Sequence, residues 1–312
     1  MINFRFHIVS LIAIFLALAL GVVIGAGVID RGVVDALDSR LNTVEAKSDR
    51  IKSENDRLSA ENQQLSGAIG DLQPFSVTGR LLSDSVGLVA ARGVEADEIK
   101  GVAKAVQDAG ATATGTLWLE SKWKLDASGD VKALQTALAS TTKNKTTLRA
   151  EGFRRLAERL STAPADVGDP STDVLNRLQQ AGFVGFDSAG SGGIADFPGG
   201  DAGLIVVVGS KATVPADSLV VPLATAVHAA SLPLVVADDY VATNDGPGRA
   251  DALQPLRDSD LARTVSTVDD LDLPQGPATV VLALADLFRT PPTAGHYGYG
   301  PDAQPLPDPV AP

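Results

Sequence analysis

The sequence predicts an α/β protein in three parts: an N-terminal transmembrane helix, a parallel coiled coil, and a three-layer α/β (Rossmann-like) domain with a mostly parallel sheet. Three observations carry this reading. An uncharged run extends from Ile8 to Ile29, and a seven-residue repeat of apolar side chains follows from Leu37 to Leu72. From Val86 onward, short runs of Val, Leu and Ile alternate with stretches that place apolar residues at helical spacing.

The first run reads IVSLIAIFLALALGVVIGAGVI. At the helical rise it spans ~33 Å, enough for the hydrocarbon core of a bilayer. A cleaved signal peptide would have a shorter apolar part and a small-residue cleavage site before flexible chain, whereas here a helical repeat follows almost at once. Residues 1–7 are therefore read as a cytoplasmic N-terminus and 8–29 as a signal anchor, with membrane lipid as its partner. Gly21 and Gly25 form a small-xxx-small spacing that lets two such helices approach closely.

Residues 30–73 read as a coiled coil ending at Pro74. Leu37, Val44, Ile51, Leu58, Leu65 and Leu72 fall on d positions, while Leu41, Ser48, Asn55, Asn62 and Ile69 fall on a. A seam of this kind buries its apolar edge only against another helix. Asparagine at a position costs stability but pairs with its own copy across a two-fold axis, which favours an in-register dimer. Strands leaving the same membrane pair in parallel. Arg40 then faces Glu45 of the second strand favourably, but Lys47 faces Lys52 with like charge, so an envelope protein partner that docks through the coil stays open beside self-association. From Leu37 to Leu72 the rod would measure ~54 Å.

The domain is placed at 74–290 with a glycine-rich joint near 185–203, where two lobes could meet. Val86 to Ala91 reads as a buried strand, and Ile99, Val102, Ala103 and Val106 form a helical stripe that Gly110 ends. Ala111 to Leu119 completes a β-α-β unit. Helical character dominates at Val131–Ala139, Leu148–Leu160 and Thr172–Gln180, followed by a strand at Phe183–Phe186. The alternation then repeats with strands at Leu204–Gly209, Leu232–Asp238 and Thr264–Asp269, and helices at Leu223–Ala230, Arg249–Leu256 and Ala278–Leu287. Near-continuous Val, Ile and Leu runs between helices are what a sheet covered on both faces requires. The Pro- and Gly-rich tail, 291–312, is expected to be disordered.

Composition narrows the function. The net charge of −12 over 312 residues argues against nucleic acid, since acidic surfaces repel phosphate. With no cysteine, disulfide scaffolds, zinc knuckles and thiol enzymes are excluded. Gly190, Gly192 and Ala195 match a relaxed dinucleotide pattern, and Ser191 nearly matches a nucleophile elbow, but neither leads directly into a helix. No nucleophile, base and orienter can be assembled by spacing, so the chain is read as non-enzymatic, with no certain cofactor.

For a metal, the candidates are His228, His296, Asp238, Asp239 and Asp269. Asp238 and Asp239 end one strand, and Asp269 and Asp270 end another, at the edge where open α/β sheets bind ligands. Hard cations suit such acids, although solvated turn carboxylates are commoner. His228 lies in the apolar helix LATAVHAA, where a packed, hydrogen-bonded role is expected, and His296 lies in GHYG. The histidines show no metal-ligand spacing.

The opening NFRFHIVSLIAIFLALALGVVIGAG with its heptads, the block GATATGTLWL, the strand end TVSTVDD and the late GHYG together resemble the actinobacterial copper transporter family of the MctB type. The likeness covers nearly the whole chain. It implies copper transport or homeostasis at the cell envelope, an outer-membrane channel role, and a domain outside the cytoplasmic membrane. Relatives in the family look like coiled-coil envelope proteins that pair with a membrane partner and influence cell-wall hydrolysis during division. Copper is thus implied by resemblance alone. Soft Cu(I) prefers thiolate and thioether ligands, yet the chain has no Cys and one Met, and Cu(II) would find three scattered imidazoles. An outer-membrane barrel needs aromatic girdles, and aromatics are 4% of the chain.

Overall fold

The computed structural model describes residues 4–27, 31–239 and 252–308. It divides into two compact units, 1–65 and 66–312. In the first, α1 (Phe4–Gly27) is one apolar helix. Its window from Phe4 to Gly25 is long and apolar enough to cross a membrane, and none of it is buried within the protein. An apolar surface of that length is stable only in a non-aqueous environment.

The second helix, α2 (Arg31–Val77), carries the heptad residues. It runs through Pro74, where the sequence placed its end. The proline removes one backbone donor, but the last turn is held by Thr78, whose N–H donates to the Pro74 carbonyl at 3.0 Å. Val77 and Leu81, both fully buried, anchor that end in the domain core, and their packing outweighs the local cost.

The sheet has seven strands: β1 (Val86–Ala91), β2 (Gly115–Leu119), β3 (Val184–Ser188), β4 (Gly203–Val207), β5 (Leu234–Ala237), β6 (Ser266–Val268) and β7 (His296–Tyr297). Their spatial order is β3-β2-β1-β4-β5-β6-β7. Only β3 is antiparallel, pairing with β2 so that Leu117 lies opposite Phe186. All residues of β1, β2, β4 and β5 are buried, as strands covered on both faces must be. The covering helices are α3 (Ala96–Asp108), α4 (Ser128–Leu138), α5 (Lys145–Leu160), α6 (Val174–Gln180), α7 (Ala216–Ala229), α8 (Gln254–Arg257) and α9 (Gly276–Leu287). Helix α3 packs on α9, and α5 packs on α7.

Local signals explain several ends. After α3, the Gly110 N–H reaches the Gln107 carbonyl at 3.0 Å and the Ala111 N–H reaches Val106 at 3.2 Å, a Schellman closure with Gly110 at φ +88°. Asn144 caps α5 by accepting the Thr147 N–H at 3.0 Å. Trp123 stacks on Phe153 with centroids 4.4 Å apart, and Gly152 leaves room for its ring, since a Cβ there would lie 2.7 Å from it.

Four expectations change. Strand β2 begins at Gly115, not Ala111, and α7 begins at Ala216 with Pro222 inside it, because buried Leu219 and Val220 hold its first turns. Helix α8 is a single turn; residues 249–251 of the expected helix lie outside the described residues. The tail is not disordered as far as Asp308. Its β7 pairs in parallel with β6, Thr267 opposite His296, and Tyr297 is 4% exposed. Composition misled there because β6 offers an open edge and buried donors and acceptors that fix the tail.

Candidate functional site

The strand order reverses at β1 and β4, the place where open α/β sheets bind ligands at the carboxyl ends of their strands. Here that crevice is closed. The Thr213 N–H donates to the Arg92 carbonyl at 2.7 Å, and Gly93, at φ +108°, lies so close that a Cβ on it would meet the Lys211 carbonyl oxygen at 2.2 Å. Lys211 also pairs with Glu95. The glycine-rich stretch after β3 is a loop with one 3-10 turn, Ile194–Asp196, and leads into β4 rather than an α-helix.

The acids at the ends of β5 and β6 gather along the same edge. Asp239 accepts from the Ser210 N–H at 2.7 Å and from the Ser210 hydroxyl at 2.6 Å, which fastens the exit of β5 to that of β4. Asp238, 4% exposed, accepts the Asp239 N–H at 3.0 Å. Burial pushes its carboxyl up to about 8, helped by the neighbouring Asp239. Asp270 is fully buried, accepts from Gln275 at 2.7 Å, and is raised by burial to about 6. Glu98, in the first turn of α3, is raised to about 7 by burial and then by Asp239 and Asp272.

Asp269 is committed to holding the tail. It pairs with Arg257 at 2.7 Å, both side chains almost wholly buried, and accepts the N–H groups of Tyr299 at 2.6 Å and Gly300 at 3.0 Å. Arg257 in turn donates to Thr267 at 2.8 Å and to the Tyr297 carbonyl at 3.3 Å. The Nδ1 of His296 shares the Thr267 hydroxyl at 2.9 Å, and burial followed by the Arg257 charge lowers its pKa.

The structure thus brings Asp238, Asp239 and Asp269 to one edge, with His296 one residue short of it on β7. His228 is elsewhere: it is exposed in the last turn of α7, and because α7 runs back before β5 it lies toward the opposite edge of the sheet. The packed role expected for it does not hold. Among the described residues, no group of three His, Cys, Asp or Glu side chains could hold a metal ion. Asp269 and Asp239 have already spent their oxygens on protein donors, so the donor set does not fit copper. Sequence reasoning missed Arg257, Ser210 and Glu98; only the strand-end position of Ser210 after Gly209 was a usable signal.

The heptad side chains form the other candidate surface. Leu37, Leu41, Val44, Ile51, Leu58, Leu65, Ile69 and Leu72 are all exposed large hydrophobics on α2, an arrangement that leaves an apolar stripe along one helix without cover from its own chain.

These features define a protein with, among the described residues, one helix long and apolar enough to cross a membrane, and an α/β domain in which the exits of β1, β4 and β5 are tied to one another. The family model for the copper transport outer membrane protein MctB matches residues 1–307, and this chain belongs to that family. It is 32% identical to the copper transporter MctB of Mycobacterium leprae over 96% of this chain and 97% of that protein. It is 29% identical to the copper transporters MctB of Mycobacterium tuberculosis and Mycobacterium bovis, again over 96% of this chain and 97% of each.

Proposed function

We propose that this chain is an envelope-associated, single-pass membrane protein that takes part in copper transport or homeostasis through assembly, not by ligating the ion itself and not as an enzyme. Whole-chain membership of the MctB family, whose relatives bear the name copper transporter, carries the copper part. The mode of action is supported by a mismatch in chemistry. Copper as cargo wants thiolates, thioethers or several imidazoles, whereas Asp239 and Asp269 are engaged in holding loops together and His228 and His296 lie at different ends of the sheet.

The uncovered stripe on α2 supports a parallel coiled-coil dimer as the assembling element. It equally suits a scaffold that offers its domain, outside the cytoplasmic membrane, to an envelope protein partner, with cell-wall remodelling at division as the process served. The test is copper accumulation in a strain lacking this chain, complemented with Leu58→Pro or with His228→Ala, His296→Ala together. The double histidine variant should restore the wild-type level, and Leu58→Pro should not. Failure of the folded histidine variant, or rescue by Leu58→Pro, would overturn the reading.

A further inference from the structure

The C-terminal segment and the end of α9 line a polar cavity of about 490 Å³, a volume in the range of small-molecule sites. Thr293 fastens the two, its N–H donating to the Asp286 carbonyl at 3.0 Å. Three carboxylates, Asp286, Asp302 and Asp308, line this cavity against one guanidinium, Arg289. Arg289 lies 3.4 Å from Asp286, and Arg80 approaches Asp286 from the turn after α2. Asp302 and Asp308 have no ion pair among the described residues. His296, on the same wall, does not offset them, because burial and then the Arg257 charge lower its pKa from 6.5 and keep the imidazole neutral at pH 7.

Acids alone at a surface are ordinarily solvated, but here a buried phenol stands with them. Tyr297 is 4% exposed, and its hydroxyl makes no hydrogen bond among the described residues. Gly295 makes room for it, since a Cβ there would meet the phenol oxygen at 2.1 Å. Gly295 itself lines the cavity, so the hydroxyl is held at the cavity wall and not in the core. Burial, followed by Asp286 and Asp308, pushes the phenol up to about 12, so it stays a neutral group among carboxylates. A buried tyrosine hydroxyl usually finds a partner, and this chain supplies none.

We propose that this cavity binds a small organic cation of the alkylammonium class, which donates to the Tyr297 phenol oxygen and to the carboxylates of Asp302 and Asp308. The occupant is a cation because the lining groups left unpaired are acceptors, two of them negatively charged. It is not a metal ion, because among the described residues no three His, Asp or Glu side chains come together to hold one. The N–H bonds of an ammonium are longer, about 2.8 Å against about 2.0 to 2.6 Å for metal–oxygen contacts, so acceptors too far apart for a metal still suit it.

The test is calorimetry on the full-length protein in detergent micelles, with butylammonium, butyrate and butanol as probes, each referenced to empty micelles. Butylammonium should bind saturably, and neither butyrate nor butanol should. Tyr297→Phe, which keeps the ring, should weaken butylammonium at least about ten-fold without moving the thermal midpoint. Asp302→Asn should do the same, and it decides the matter if the buried variant is destabilised. Asp302 has φ +60°, a conformation that asparagine also adopts, so its turn is kept. Butylammonium binding that does not saturate below about 10 mM would overturn the proposal. An unchanged affinity in either folded variant would also overturn it, by showing only a general attraction to a chain of net charge −12. Saturable binding of Mg²⁺ that is lost in Asp302→Asn would make this a metal site and overturn it as well.

Discussion

Asp238 should make this protein more stable in mild acid than at neutral pH. Its carboxyl is 4% exposed and is pushed up to about 8 from an ordinary value of 3.8, with burial as the first cause. In the folded state it keeps its proton across a range in which the unfolded chain has released it. The stabilisation is therefore fully present below pH 3.8 and is lost as pH rises through about 8. One such group contributes a slope of about 1.4 kcal/mol per pH unit within that window, so the loss by pH 7 is on the order of 4 kcal/mol. Asp270, raised to about 6 and fully buried, adds a slope of the same sign over the lower part of the window. His296 opposes them: its folded pKa is lowered, so stability falls as pH drops below its ordinary 6.5.

The perturbation is Asp238→Asn, which keeps the shape and removes the ionisation. Chemical unfolding of the full-length protein in detergent, followed by circular dichroism at pH 5, 6, 7 and 8, gives the slope. The wild type should lose stability from pH 5 to 8, and the variant should be the more stable of the two at pH 8 by roughly 2 to 4 kcal/mol. A wild-type profile that is flat or rises over this range, or an Asn variant with the same slope, would refute the argument that this carboxyl is held protonated.

Asp269→Ala should destabilise the domain by about 3 to 5 kcal/mol, because it leaves the Arg257 guanidinium buried without its carboxylate. Hydrogen exchange should then speed up at Tyr299 and Gly300 before the rest of the sheet, which mass spectrometry of C-terminal peptides would detect. Gly152→Val should lower the thermal midpoint by several degrees, since a Cβ there already meets the Trp123 ring at 2.7 Å, with a cost of about 1 to 3 kcal/mol. His228→Ala, at an exposed helix end, should change stability by less than about 0.5 kcal/mol in the same unfolding assay.

The strands that the sequence made plain are those buried on both faces. VGLVAA, LIVVVG and LPLVVAD are short apolar runs between helices, and each became a strand of the parallel sheet. The errors lie where packing overrides local preference. Pro74 and Pro222 both sit inside helices whose neighbours Val77, Leu219 and Val220 are buried, and no propensity scale contains that information. The tail was misread for the complementary reason. Its Pro and Gly content is that of a disordered segment, but Asp269 and Arg257 supply buried partners from a distant part of the chain, and a sequence does not announce which strand edge is vacant. Asp238, Asp239 and Asp269 were correctly assigned to strand ends, but what they bind there depends on loops that arrive from elsewhere.

That edge also bears on where function can reside. In an open sheet of this strand order, the loops after β1 and β4 normally splay to admit a ligand, and carboxylates at neighbouring strand ends are free to contact it. In this chain both loops and two of those carboxylates, Asp239 and Asp269, are spent on the fold. The Arg92 carbonyl takes the Thr213 N–H, Asp239 takes both donors of Ser210, and Asp269 takes Arg257 and two backbone N–H groups of the tail. Freeing Asp269 for a metal ion would leave the buried Arg257 guanidinium without its carboxylate, at a cost of about 3 to 5 kcal/mol, whereas the donors of Ser210 that Asp239 holds are exposed. Copper binding at this edge would have to outweigh that loss with hard carboxylate ligands that copper does not favour. The same residues that would make a metal site on paper thus hold the carboxyl edge of the domain together, and the apolar stripe of α2 has no such internal commitment.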